Sequence, residues 1–153
     1  MVDWSYIAGI IDGEGNFSLN RHKNSTSRGW HFQPQLAVSN TNYELIWWLK
    51  ETTGLGSCYT KDYKKRNKNH SLPRVWVIYN INDITKVINR IEDVLIIKHT
   101  QAKLLKEFCR ERINQLVNWE PKRDKKGRFI CQEIKYTSRQ YKIFEELKRL
   151  NHR

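Results

Sequence analysis

Nine residues, Ile7-Ala8-Gly9-Ile10-Ile11-Asp12-Gly13-Glu14-Gly15, constrain this chain more than any other stretch, because they hold three of its seven glycines. The pattern over residues 4–13 predicts a short helix, with Asp3 or Ser5 as its N-cap. On that helix Gly9 and Gly13 lie four residues apart and leave one bare face, flanked by Ala8. A bare face lets a second helix approach closely, a steric effect best documented in membranes. The helix ends in two acids, Asp12 and Glu14, where the dipole disfavours negative charge. A compensating cation is therefore expected, and a divalent metal ion would serve. Gly15 frees the backbone for a sharp exit into a strand.

Two strand-like segments follow. In 16–22, Phe17 and Leu19 alternate with Asn16, Ser18, Asn20 and His22, and in 30–38, Phe32, Leu36 and Val38 alternate with His31, Gln33 and Gln35. Pro34 sits awkwardly there, since it cannot donate to a ladder. A helix is expected from Thr41 or Asn42 to Thr52, with Leu45, Trp48 and Leu49 inward and Gly54 as its stop. A second strand pair, about 56–63 and 74–81, is joined by a basic loop. Ile84, Val87, Ile88 and Ile91 mark the clearest helical period, beginning near Asn82 or Asp83. A longer helix over 99–118 turns Leu104, Leu105, Phe108, Cys109, Ile113 and Leu116 inward, and a last helix at 138–150 opens on Thr137-x-x-Gln140. The order α-β-β-α-β-β-α implies an α+β domain with a four-stranded antiparallel sheet plus C-terminal helices. Helices cover one face of that sheet, and the other carries amides, hydroxyls and imidazoles.

Charge narrows the partner. The chain of 153 residues carries 28 Lys+Arg against 16 Asp+Glu, a formal net charge of +12. Residues 61–74 hold Lys61, Lys64, Lys65, Arg66, Lys68 and Arg74 against Asp62, and residues 121–128 hold five basic side chains against Asp124. Those two stretches supply nine of the twelve net charges (+5 and +4). Clustered charge points to a polyanion, and a polar sheet face suits a nucleic-acid groove. No segment reads as a membrane span or a basic amphipathic helix, so a membrane partner is not expected. The three cysteines lack CxxC spacing and the five histidines lack zinc-ligand spacing, which argues against a disulfide framework or a zinc site. The N-terminus has no secretory pattern, and an intracellular setting is expected, the cytoplasm of a prokaryote or an organelle.

The motif Ile7–Gly15 closely resembles the LAGLIDADG motif of homing endonucleases. The small residues, both acids and the final glycine fall in register, with Gly13 replacing Ala and Glu14 replacing the second Asp. The element order resembles that family over residues 4–118, so 1–118 is expected to form the endonuclease core, with 119–153 a basic connection and C-terminal helix of the same domain. The resemblance implies roles for particular residues. Glu14 is the metal-binding catalytic carboxylate, and the Gly13 carbonyl is an auxiliary ligand for Mg²⁺, with Mn²⁺ or Ca²⁺ as substitutes in binding. Lys98 matches a basic residue near the scissile phosphate. Asn40 matches a polar residue, often Gln, that positions water. Glu44 stands where the family has an arginine.

Members with one motif per chain form homodimers through the motif helices, and no second motif occurs here. The expected interface is Ala8, Gly9, Asp12 and Gly13. The expected contacts to double-stranded DNA are Asn16, Ser18, Asn20, His22, His31, Gln33, Gln35, Tyr59 and Lys61 on the sheet face. Lys23, Arg28, Lys64, Lys65, Arg66, Lys68 and Arg74 would touch phosphates. The implied activity is site-specific cleavage of double-stranded DNA at a long pseudo-palindromic target, leaving 3′ overhangs. The rival readings are an RNA-binding intron maturase and a non-catalytic DNA-binding regulator on the same fold.

Overall fold

The computed structural model describes residues 2–23, 29–61, 71–129 and 135–152. The helix α1 runs from Trp4 to Glu14 and is capped by the Asp3 carboxylate, which accepts from the amides of Ser5 and Tyr6. Strands β1 (Gly15–Lys23) and β2 (Trp30–Asn40) follow, then helix α2 (Tyr43–Thr53). Strands β3 (Ser57–Thr60) and β4 (Arg74–Ile78) precede helices α3 (Ile81–Ile91), α4 (His99–Val117) and α5 (Ser138–Asn151). All strand pairs are antiparallel, in the order β1-β2-β4-β3.

The order agrees with the sequence reading, and the differences are local. Within expected strand 56–63, β3 covers Ser57–Thr60, and residues 62 and 63 lie outside the described residues. Expected strand 74–81 ends at Ile78, because the Asn80 side chain accepts from the amides of Asn82 and Asp83 and so opens α3 at Ile81. Pro34 pairs with Leu19 of β1, while β4 reaches only Leu36–Asn40 of β2. That half of β2 therefore has one strand neighbour, which is where a residue without an N–H is tolerated.

Alternation in the strands separates two faces. Phe17, Leu19, Phe32, Leu36, Val38, Trp76 and Ile78 join the core beneath the helices. Ile84, Val87, Ile88 and Ile91 of α3 are fully buried, as their period predicts. On α2, Ile46 and Leu49 are the buried positions, and Trp48 packs partly buried against the core. Gly54 adopts a left-handed φ of 66° and ends α2, its N–H donating to the Lys50 carbonyl. On α4, Leu104, Leu105, Phe108 and Cys109 are buried, but Leu116 is 47% exposed, because the last turn runs past the packed cluster. Burial also pushes the Cys109 thiol up to about 12, so it is a small apolar filler rather than a nucleophile.

The C-terminal helix closes this core. Ile143 and Leu147 of α5 are buried, and the Asn151 Nδ2 donates to the Phe17 carbonyl of β1 at 2.9 Å. Thr137 and Gln140 form the expected reciprocal cap. Phe32 is the anchor, with ring centroids 4.7 Å from Tyr136, 5.0 Å from Phe144, 5.3 Å from Tyr141 and 6.1 Å from Phe108. Truncating such a residue costs about 3–5 kcal/mol. The sheet's outer face is thus left uncovered along β1 and the first half of β2.

Candidate active site and nucleic-acid interface

The acids at the end of α1 have different surroundings. The Asp12 carboxylate turns back into its own chain. It accepts from the amides of Ile96 at 2.7 Å, Ile97 at 3.3 Å and Lys98 at 3.0 Å. These amides lead into α4, whose N-cap residue Lys98 makes no side-chain cap. Asp12 therefore holds the lead-in to α4 from another helix, with its charge at the positive end of α4. Burial pushes its carboxyl up, but the three amides and the Lys98 charge outweigh that and hold it below the usual carboxylate range.

The compensating cation at the end of α1 is Lys98. Its ammonium donates to the carbonyls of Ile11, at 3.2 Å, and of Asp12. Both carbonyls lie in the last turn of α1, where positive charge is favourable. The link after α3 and the end of α1 are thus tied twice, once by Asp12 and once by Lys98.

Glu14 is the contrast. It is exposed and, among the described residues, no hydrogen bond or ion pair engages it. Gly13 beside it is exposed as well. Gly15 follows with extended backbone, and its need for glycine is steric: a Cβ there would lie 2.5 Å from the Ile11 carbonyl oxygen. Asn40 ends β2 two residues beyond Val38, the partner of Gly15, so it lies at the same end of the sheet. Its Oδ1 accepts from the Asn42 amide at 2.8 Å, which leaves the Nδ2 donors unspent there. A cleft of about 550 Å³ opens beside the motif, lined by Gly15, Asn16, Ile97, Lys98, Thr100, Gln101, Leu150 and Asn151.

The bare helix face is exposed. A Cβ at Gly9 or at Gly13 would meet nothing within 4 Å, so nothing in this chain requires glycine there. Around it the surface is apolar: Tyr6 is 55% exposed, Ile96 87% and Ile97 70%. Tyr6 stands edge-on to Trp48 of α2, whose neighbour Trp47 is exposed. Ala8 departs from the expectation, being 1% exposed in the core rather than on the bare face. A 100° step per residue separates it from Gly9 and places it over the sheet.

The outer sheet face gathers the polar side chains. Ser18 pairs with Gln35, Asn20 with Gln33 and His22 with His31, so these six share one face, and Asn16 follows the same alternation. His22 and His31 stack at 5.4 Å. Tyr59 pairs with Val75 on this face, and Lys61 follows Tyr59 by two residues. Ala37, Val75 and Val77 form a small apolar cluster there, resolving the parity of β4 that the sequence left open.

Arg74 lies on the opposite parity, with Trp76, and its guanidinium stacks 4.2 Å from the Tyr43 ring of α2. It is thus exposed on the helix side of the sheet and not on the polar face. Lys23 is exposed at the far end of β1, near Arg21, which stacks on Trp30 at 4.4 Å. Arg28, Lys64, Lys65, Arg66 and Lys68 lie outside the described residues.

Two features escaped the sequence reading. The Asp12 latch was signalled only by an acid at a disfavoured helix end. The other is an ordered basic turn: the Asp124 carboxylate accepts from the amides of Lys126 and Arg128, and Arg123 stacks on Phe129 at 3.9 Å. Asx-type turn chemistry after a charged stretch was the available sign.

A basic protein with a four-stranded sheet, one polar sheet face and an acid-tipped bare helix at one end of it is suited to present that face to a polyanion. The family model described as LAGLIDADG endonuclease matches residues 7–110. This chain belongs to the LAGLIDADG endonuclease family, and its function is that of a site-specific DNA endonuclease, a hydrolase.

Solved structures share the fold. An archaeal intron-encoded homing endonuclease, I-Vdi141I, complexed with DNA, is 23% identical, with a TM-score of 0.70 over 97% of this chain and 90% of that one. The homing endonuclease I-CvuI, solved with DNA in the presence of Mg, is 14% identical, with a TM-score of 0.58 over 98% of this chain and 95% of that one. The LAGLIDADG meganuclease I-CpaMI, bound to uncleaved DNA, is 18% identical, with a TM-score of 0.64 over 98% of this chain but 50% of that one.

Proposed function

We propose that two copies of this chain form one Mg²⁺-dependent homing endonuclease that cuts a long, roughly palindromic DNA target and leaves 3′ overhangs. The observation that carries the reading is the division of labour between the two motif acids. Asp12 is consumed within the fold, and Glu14 is exposed and unpaired among the described residues at the end of a bare helix. A catalytic carboxylate has to be left free in this way, whereas a structural one is partnered.

The residues fit a divalent metal as half a site. Glu14 and the Gly13 carbonyl are hard oxygen donors of the kind Mg²⁺ takes. No cluster of three or more His, Cys, Asp or Glu suited to a metal occurs among the described residues, so the second carboxylate would come from the other copy. When bound, such ions supply an activated water, charge neutralisation and help for the leaving oxygen. Lys98 contributes fixed positive charge beside the phosphate, its ammonium already oriented by the Ile11 and Asp12 carbonyls. Asn40 contributes an Nδ2 donor to orient water or phosphate, its amide fixed by the Asn42 N–H.

The dimer reading is supported by Gly9 and Gly13, which are bare without any requirement inside the chain, and by the match of one chain to half of I-CpaMI. Joining the bare faces of two copies brings two Glu14 carboxylates together. The neighbouring structures named for their DNA complexes support the polar sheet as the DNA surface.

The deciding experiment incubates the protein with plasmid carrying the host insertion site, with Mg²⁺ or with EDTA. Wild type should linearise it with Mg²⁺ alone. Glu14→Gln should bind the same plasmid with cleavage reduced at least a thousandfold. Full cutting by that variant would refute the assignment of Glu14. Binding of intron RNA without any DNA cleavage would favour the maturase reading instead.

A further inference from the structure

The cleft beside the motif has a one-sided chemistry. It holds about 550 Å³, and among the described residues that line it Lys98 is the single charged one. Asn16, Thr100 and Gln101 add amide and hydroxyl groups, while the Asn151 amide is spent on the Phe17 carbonyl. The lining includes Gly15 and Asn16, which follow Glu14, but not Glu14 itself. A cation among neutral donors, with no carboxylate beside it, favours an anionic occupant.

Gln101 is the side chain with most left to give there. It is half-buried in the first turn of α4, and among the described residues no hydrogen bond or ion pair engages it. Amides that are withdrawn from water ordinarily find a partner. Helix side chains lean toward the helix N-terminus, so this amide leans over the turn that Lys98 opens. The Lys98 ammonium has three N–H groups and already donates to the carbonyls of Ile11 and Asp12. What remains attracts an anion by charge but does not fix its orientation. Gln101 supplies two further N–H donors beside it.

We propose that Gln101, next to Lys98, binds the DNA phosphate adjoining the scissile one and so holds the strand in line with Glu14. The inference rests on the endonuclease reading and adds a phosphate-binding residue to it. Successive phosphates of one strand advance by about 3.4 Å along the duplex, and a β-strand by about 3.3 Å per residue. A strand whose scissile phosphate meets Glu14 therefore has its next phosphate within reach of Gly15 and Asn16, where the cleft opens. Fixing that second phosphate orients the first, an effect felt in rate.

The test is single-turnover cleavage, with Mg²⁺, of a duplex carrying the host insertion site. Wild type, Gln101→Ala and Gln101→Glu are compared on unmodified DNA and on duplexes with one neutral methylphosphonate adjoining the scissile phosphate. Gln101→Ala should slow cleavage roughly tenfold, the loss of one hydrogen bond to a charged group. Gln101→Glu keeps the shape but turns negative charge on the phosphate, and should slow it more. For wild type, the methylphosphonate should slow cleavage at one adjoining position, and there Gln101→Ala should add nothing to the loss. Losses that multiply at every adjoining position would overturn the proposal. So would wild-type rates in Gln101→Glu, even where Gln101→Ala is slow and melts at lower temperature by circular dichroism, because that pair of results marks a packing role. If wild type cleaves no such duplex, the endonuclease reading itself fails, and the inference with it.

Discussion

Asp12 is a carboxylate at the wrong end of its own helix and the right end of another. At α1 it faces the negative pole, and before α4 its oxygens accept from the three consecutive amides of Ile96, Ile97 and Lys98. Its pKa is depressed, so the latch contributes stability that is present above the ordinary carboxylate value, about 3.9, and lost as pH falls through the lower folded value. Asp12→Asn should cost about 1–2 kcal/mol at pH 7, since hydrogen bonds to a charged group are the stronger kind. The gap between variant and wild type should narrow below about pH 4. Urea unfolding at pH 7 and pH 3 measures both, and a gap unchanged by pH would refute the latch. Gly15→Ala should cost more, about 2 kcal/mol or above, because the new carbon meets backbone at 2.5 Å and no side chain can yield.

The motif helix makes its prediction at the level of an element. Glycine inside a helix is unfavourable by about 1 kcal/mol relative to alanine, and within this chain nothing is gained in return at Gly9. A second helix in close contact would supply the reason. Gly9→Leu should therefore leave the chain at least as resistant to heat, yet convert it to a monomer in sedimentation and abolish cleavage. A dimeric, active Gly9→Leu would show that the bare face packs against nothing.

Elements were legible in the sequence because period, caps and glycine stops agree along it. Which neighbour a side chain meets was less so. Ala8 reads as part of the small-residue face, yet the helix rotation puts it in the core. Arg74 reads as one more cation in a basic run, yet the parity of β4 sends it to Tyr43. Both cases concern orientation, which strand parity and helix rotation fix only once partners are known. Glu14 is singled out by the motif and Lys98 by the family resemblance outside it, whereas the Asp12 latch needed the fold to bring residues 84 to 86 positions apart together.

At the scale of the whole molecule, the excess charge becomes an argument about affinity. The proposed pair of chains would have about 306 residues and a net charge near +24, from twice the 153 residues and +12 of one chain. Ion pairs within the chain absorb few of these cations. Lys86 meets Asp83, Lys106 meets Glu92, Arg128 meets Asp124, and Arg139 meets Glu107 and Glu146, among the described residues. In the proposed complex the polar face would read bases with uncharged groups, and the affinity for phosphate would come from lysines and arginines around its rim. Each phosphate neutralised releases counterions, and log K falls by about 0.9 per phosphate for each tenfold rise in salt. Six to ten such phosphates would weaken binding by roughly 10³–10⁵ between 50 and 200 mM salt. Anisotropy titrations of a labelled duplex across that range give the slope directly. The ordered turn carries Lys122, Lys125 and Lys126, three exposed cations whose side chains make none of the turn's hydrogen bonds, the Lys126 amide being kept in any side-chain substitution. Replacing all three with glutamine should make the slope shallower by about 0.9 for each phosphate left without its cation, and the preferred sequence should stay the same. A steep slope that this variant leaves intact would assign the phosphate contacts to other cations of the chain, and a slope near zero for wild type would contradict DNA binding through this charge altogether.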